Sequence, residues 1–273
     1  MGDTIMRAGH ELRHEPTEKR LRAKLGGGTV VDSTRALLVW EPRRISPAFA
    51  VPAADVGAEL LPAPAAAAGD PAPEILHPGI PFAVHSTAGD VLSLRAGGVT
   101  LDGAAFRPAD PDLAAYVLLD FDAFDAWYEE DEQVVAHPRD PLHRVDIRRS
   151  SRRVRIERDG VVLAESERPT LVFETRLPVR FYLPRDDIRV ELSPTAKRTR
   201  CAYKGEASYW SFEANGERVD DLAWTYASPL PDCAALAGLV AFFDDLVDVT
   251  VDGERRARPS DALAASILEE VGL

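Results

Sequence analysis

The 273-residue chain has two cysteines, Cys201 and Cys233, too few for a disulfide framework, so free thiols in a reducing compartment are expected. No apolar run approaches the ~18 residues a bilayer span needs. Residues 1–20 are charged throughout, where a secretory leader would carry an apolar centre. The expected location is cytoplasmic, with no membrane partner. Positive charge is scarce as well: 45 acids against 32 bases leave a formal charge of −13. That balance argues against nucleic acid as a partner, because phosphate neutralisation needs a dense cationic face. Four lysines stand beside twenty-eight arginines. There is no Cys-x-x-Cys pair, phosphate-cradling glycine loop, dinucleotide fingerprint or Ser-His-Asp pattern, and no cofactor is expected.

What is present is a repeat, and missing a repeat miscalls the whole fold. Arg35 to Arg43 lies over Arg168 to Arg176 at an offset of 133, and Arg22 to Ser33 matches Arg155 to Ser166 at that same offset. Phe49 to Val56 matches Phe181 to Ile188 after a one-residue slip, and Phe82 to His85 matches Cys201 to Lys204 at 119. The fall in offset places a 13-residue insertion in the first copy, within the Pro/Ala-rich stretch 62–81, read as a mobile surface loop. The boundaries that follow are a tail at 1–19, a first unit at 20–145, a second at 146–254 and a C-terminal helix at 255–273.

Local signals are mostly β. Asp159-Gly160 joins two apolar runs as a hairpin, and Asn215-Gly216 sits in a similar place. Thr170–Thr175 and Ile188–Leu192 read as further strands. Asp232 can cap a short helix that Gly238 stops, and Ser260-Asp261 can cap a final one. The expected fold class is mainly β, an antiparallel barrel or tent in each half.

Leu-Val-Phe-Glu-Thr-Arg-Leu-Pro at 171–178, Phe-Tyr-Leu-Pro-Arg-Asp-Asp-Ile at 181–188 and Thr-Arg-Cys-Ala-Tyr-Lys-Gly-Glu-Ala-Ser-Tyr-Trp-Ser at 199–211 resemble the bacterial DUF427 family. Ala-Trp-Thr-Tyr at 223–226 and Asp-Ala-Trp-Tyr-Glu-Glu-Asp-Glu at 125–132 extend the likeness, which runs from about Leu21 to Glu254. The resemblance implies a tandem two-copy member whose units are β-tent-like, as in Mss4-like zinc proteins, but zinc-free because the cysteine pairs are missing. The nucleotidyltransferase wording sometimes attached to the family has no counterpart here, since the chain contains no Gly-Ser dipeptide.

With two copies, one serves as a control for the other. Glu41/Glu174 and Arg43/Arg176 recur as Glu-x-Arg, a spacing that on a strand puts both side chains on one face, as a shared ion pair or as ligand contacts. Asp55/Asp187 and Pro52/Pro184 read as architectural. The second copy adds Lys204 opposite His85, Tyr203 opposite Val84, Tyr209-Trp210 opposite Val91-Leu92, and Trp224 opposite Ala104. Residues 176–204 carry eight bases and three acids, whereas 43–85 carry two and four. Such an island can focus its field on a small anion; arginine supplies a fixed fork, and aromatic rings supply flat walls.

The expected ligand pocket is lined by Arg176, Arg180, Tyr182, Tyr203, Trp210, Trp224 and Tyr226, with Lys204 and Tyr209 as its candidate catalytic pair. Two readings of Lys204 stand: a buried amine of lowered pKa able to do acid/base or Schiff-base chemistry, or an exposed ammonium on a turn. Cys201 is read as a buried structural thiol. His137, Asp140 and His143 form either a metal site or, as their flanking prolines favour, a linker between the copies. The acidic run at 129–132 is a solvated edge or a surface docking on the basic island. Three functions follow: a binding module for a small anionic or polar molecule, an enzyme using Lys204, or a structural or protein-interaction module.

Overall fold

A computed structural model describes Gly9 and residues 11–64, 75–214 and 217–259. Of the expected final helix at 255–273, Arg255 closes a strand and residues 256–259 are not helical, while its remainder and the Asn215-Gly216 turn lie outside the described residues. The chain divides into two compact units, Met1–Asp140 and Pro141–Leu273.

The first unit contains β1 (Arg13–Pro16), β2 (Leu21–Leu25), β3 (Gly28–Ser33), β4 (Leu37–Trp40), β5 (Ala48–Pro52), β6 (Glu59–Pro62), β7 (Gly89–Ala96), β8 (Val99–Pro108), β9 (Tyr116–Leu119), β10 (Ala126–Glu129) and β11 (Glu132–Gln133). The second contains β12 (Val145–Arg149), β13 (Val154–Arg158), β14 (Val161–Ser166), β15 (Thr170–Glu174), β16 (Arg180–Leu183), β17 (Leu192–Cys201), β18 (Gly205–Ala214), β19 (Glu217–Thr225), β20 (Val240–Phe242), β21 (Asp248–Val251) and β22 (Glu254–Arg255). Each unit builds a seven-stranded and a four-stranded antiparallel sheet. The strand orders are β1-β4-β5-β9-β8-β7-β6 and β12-β15-β16-β20-β19-β18-β17 for the larger sheets, and β11-β10-β2-β3 and β22-β21-β13-β14 for the smaller. The two units share one topology, as the repeat predicts.

Helical structure among the described residues is confined to short 3-10 turns, one of them at Pro231–Leu236 where the sequence suggested a capped helix. No helix of the described residues is long and apolar enough to cross a membrane. The expected tail at 1–19 is partly strand, because β1 pairs with β4 along Arg13–Pro16. The Asp159-Gly160 turn is as read, with φ of 49° and 78°, the left-handed pair a tight hairpin requires. In the 62–81 stretch, Leu76 is fully buried and both its backbone groups bond to the Arg43–Ile45 segment, so this part is anchored rather than mobile.

Strand alternation gives each large sheet two apolar faces. In the second unit, Leu171, Phe181, Leu183, Ala223 and Phe242 face the small sheet's Val154, Ile156 and Leu163. Val172, Tyr182, Tyr209, Trp224, Tyr226 and Ala241 form a separate cluster on the opposite face, closed by Cys233, Leu236 and Phe243. The first unit repeats this with a main core around Phe49, Trp40 and Trp127, and a smaller outer cluster of Val39, Ala50, Phe106, Leu113 and Leu118. The outer cluster is where the two units differ most.

Candidate functional site

The site grows from the end of β15. Alternation puts Glu174 on the outer face with Val172, and there the strand stops: Arg176 takes a left-handed φ of 69°. Arg43 does the same after β4, with φ of 68°. In the second unit the break in the strand turns Arg176 away from the Glu-x-Arg pairing expected from even spacing, and other bases take Glu174.

Lys204 Nζ donates to Glu174 Oε2 at 2.5 Å, and His143 Nε2 lies 3.0 Å from Oε1. Both members of the lysine pair are close to buried, with 10 % of the Lys204 side chain and 8 % of the Glu174 side chain exposed. The His143 ring stacks on Tyr203 with centroids 4.2 Å apart. Behind the ammonium, Trp224 Nε1 donates to the Tyr182 hydroxyl at 3.0 Å, and Trp224 packs on Phe243 at 4.4 Å. Tyr209 shares a 2.7 Å hydrogen bond with Thr199 and stacks parallel to Phe243.

Burial alone would raise the Glu174 carboxyl, but the Lys204 ammonium and His143 hold it down, from 4.5 to about 2. Burial likewise opposes charge on Lys204, yet the acidic groups Cys201, Glu174, Tyr226 and Tyr182 outweigh it and lift the amine well above the usual lysine range. The lowered amine pKa expected from burial is therefore reversed, because a carboxylate is buried alongside. Burial pushes the Tyr182 and Tyr226 phenols up, and the Cys233 thiol up to about 11.

A depressed carboxylate pKa contributes stability that is present above 4.5 and lost as pH falls through about 2. The stability difference between the native chain and Glu174→Gln is expected to stay constant from about pH 6 to 5 and to shrink steadily below 4.5, as read by urea unfolding at each pH. A difference that does not change down to pH 2 contradicts this assignment.

Of the sequence-derived lining, the structure brings together Tyr182, Lys204, Tyr209, Trp224 and Tyr226, with Tyr203 at the margin on His143. Arg180 is adjacent, its guanidinium 5.9 Å from the Trp224 ring centre, but it is buried between Asp244 and Asp245, at 3.4 Å from each. Arg176 is exposed. Trp210 is on the opposite face, against the inner core, under Arg185 at 4.0 Å. The basic island does not converge, because acids outside the window pair with its members: Asp221 with Lys197 and Glu206 with Arg200. Cys201 is half-buried at the end of β17; Cys233 is the buried thiol.

Residues 146–253 match DUF427, a domain of unknown function. No curated protein matches the chain. The DUF427 domain thus contains the whole Glu174–Lys204 cluster and its aromatic surround, while His143 precedes the matched residues.

The first unit supplies the comparison. Glu41 occupies the place of Glu174, with His85 Nδ1 3.0 Å from Oε2 and the Ser86 amide donating to Oε1 at 3.0 Å. The His85 ring stacks on Phe106, centroids 3.6 Å apart. Strand register makes Phe106 the counterpart of Trp224: Phe106 pairs with Leu118 and Trp224 with Ala241, which neighbour Ala50 and Tyr182 respectively. The expected Trp224–Ala104 correspondence is two residues out. Register also sets Tyr209 against Val91, so the tyrosines are special to the second unit, whereas an aromatic ring at the Trp224 place is common to both.

Sequence reasoning missed the role of Glu174, read as one half of a shared Glu-x-Arg pair, and of His143, given to a linker. Each unit's glutamate followed by a distant base at one matched position was the signal available. The acidic run at 129–132 finds cations in its own unit: Lys19 pairs with Glu129 at 2.5 Å and Arg22 with Asp131 at 2.8 Å.

Proposed function

We propose that the second unit is a binding module for a small anionic or polar molecule, held at the Lys204 ammonium against the Tyr182, Trp224 and Tyr226 surround. The observation that carries this reading is the buried Lys204–Glu174 pair set among tyrosines that the first unit lacks. A buried ion pair is weak evidence for stability, because desolvation offsets its attraction, and a carboxylate and an amine with strongly shifted pKa values mark a functional-site candidate. Lys204 has three N–H groups. Glu174 takes one, and the partly exposed His143 and Tyr203 stand at the rim.

Under the same reading both units are β-tents of the Mss4-like kind and the chain is a tandem DUF427 pair. The shared strand order and the matched Glu41 and Glu174 support this. The alternative, an enzyme using Lys204, is disfavoured by the raised pKa, which makes the ammonium a poor proton donor and a poor nucleophile.

The test is ligand-observed NMR of the full chain with phosphate, acetate, succinate, citrate and pyruvate. Saturable binding that is lost in Lys204→Met and kept in Arg176→Ala supports the module. Absence of binding, or equal binding by Lys204→Met, contradicts it and leaves the pair a structural element. Turnover of a bound compound that Lys204→Met abolishes moves the assignment to the enzyme.

A further inference from the structure

The outer cluster of the second unit holds hydrogen-bond donors that its own acceptors do not use. Lys204 Nζ gives one of its three N–H groups to Glu174 Oε2 and makes no other hydrogen bond among the described residues. Trp224 Nε1 donates to the Tyr182 oxygen at 3.0 Å, so the hydroxyl hydrogen of Tyr182 remains unspent. Tyr226 is 5 % exposed, and its hydroxyl makes no hydrogen bond among the described residues. The three groups are neighbours: the Lys204 charge acts on both phenols, and both phenols act on Lys204. Both Glu174 oxygens are engaged, one by Lys204 and one by His143, and Cys201, which also acts on the ammonium, offers only a thiol, a weak acceptor.

The first unit has no such surplus at the matched places. Glu41 accepts from the Ser86 amide on one oxygen and has His85 Nδ1 at 3.0 Å from the other. Strand register sets Ala50 at the place of Tyr182 and Pro108 at the place of Tyr226, and neither has a side-chain donor. The second unit has therefore added donors alone. Burial pushes both phenols up, so they stay protonated and keep their O–H groups. Unpaired buried donors are costly, and the chemical group that relieves them carries acceptors only. The size of its charge is limited too. Glu174 already stands against the ammonium, so a ligand with two or three negative charges would bury charge without a counterion.

We propose that the ligand of the Lys204 site is a small monocarboxylate, its oxygens accepting from Lys204 Nζ and from the hydroxyls of Tyr182 and Tyr226. This rests on the binding-module reading and narrows it to one class of molecule. Hydrogen bonds to an ionised carboxylate are about twice as strong as neutral ones, so the two phenols set the specificity: they favour a carboxylate over a group that brings donors of its own. Tyr226 is the cleaner of the two to examine, because its hydroxyl has no bond within the unit to lose.

The experiment is NMR titration of the full chain with acetate, pyruvate, succinate, citrate, phosphate, acetamide and ethylammonium, repeated on Tyr226→Phe, Tyr182→Phe and Lys204→Met. Acetate and pyruvate are expected to bind more tightly than the multiply charged anions, and acetamide and ethylammonium are expected to fail. Tyr226→Phe is expected to keep the native melting temperature and to weaken acetate about tenfold or more, since it removes one charge-assisted hydrogen bond. Tyr182→Phe is expected to weaken acetate likewise but to melt earlier, because the Trp224 N–H loses its acceptor. The monocarboxylate assignment is overturned, with the Lys204 reading still standing, if binding that Lys204→Met abolishes is unchanged in Tyr226→Phe. The same holds if that binding is tighter for succinate, citrate or phosphate, or belongs to acetamide or ethylammonium. Binding of none of these compounds overturns both.

Discussion

Replacing Lys204 by methionine is expected to destabilise the second unit by about 3–5 kcal/mol, because the Glu174 carboxylate is left buried without its cation. The loss is predicted to be far from additive. Removing both charges together, in Lys204→Met with Glu174→Leu, leaves two apolar side chains against Tyr182 and Val172 and is expected to cost much less than either single change. His143 bonds the same carboxylate and moderates the single loss, so Lys204→Met in a His143→Phe background is expected to be the more damaging variant. Urea unfolding of the four members of the cycle checks this. Additive losses would show that the two charges do not depend on each other.

The second large effect falls in the first unit. Gly89→Ala is expected to cost about 3 kcal/mol, at the upper end of overpacking penalties. A Cβ at Gly89 would sit 2.3 Å from the Arg107 carbonyl oxygen and 2.4 Å from Phe106 Cζ. The carbonyl belongs to the paired strand β8 and cannot swing away, and Phe106 is held by its stack on His85. The matching position in the second unit is Ala207, where the partner ring is the Trp224 indole. Thermal unfolding, with loss of the His85–Phe106 ring-current shift by NMR, reads the effect. A variant that melts with the native chain and keeps that shift contradicts the packing described here.

Those two positions show what the sequence discloses and what it withholds. The repeat was legible because paired strands carry the same short apolar words, such as Leu-Leu-Val-Trp-Glu and Leu-Val-Phe-Glu, at one offset. The hairpin at Asp159-Gly160 was legible because only a few residue types accept φ above zero twice in succession. The match of Trp224 went astray by two residues, and a slip of two preserves which face every side chain occupies, so alternation cannot detect it. Bulges at Leu92/Leu94 and Trp210/Phe212 add to the ambiguity.

The site suffered from a different blindness. Charge summed over 176–204 counted eight bases close together in sequence, but the acids that balance several of them, such as Asp221, Asp244 and Asp245, arrive from strands and turns further on. Lys204 stands out in the sequence by its rarity and its aromatic neighbours, yet its charge state depends on Glu174, thirty residues earlier and brought beside it only by the fold.

Lys204 is a buried ammonium held by Glu174, and with only four lysines in the chain its charge is directly measurable. With 15N-labelled lysine, proton–nitrogen NMR at rising pH is expected to resolve one ammonium that exchanges slowly and stays protonated well above the usual lysine range. That signal is expected to vanish in Lys204→Met and to lose its protection in Glu174→Gln. No slowly exchanging ammonium, or a Lys204 amine that loses its proton within or below the usual lysine range, would contradict a buried ammonium held by Glu174.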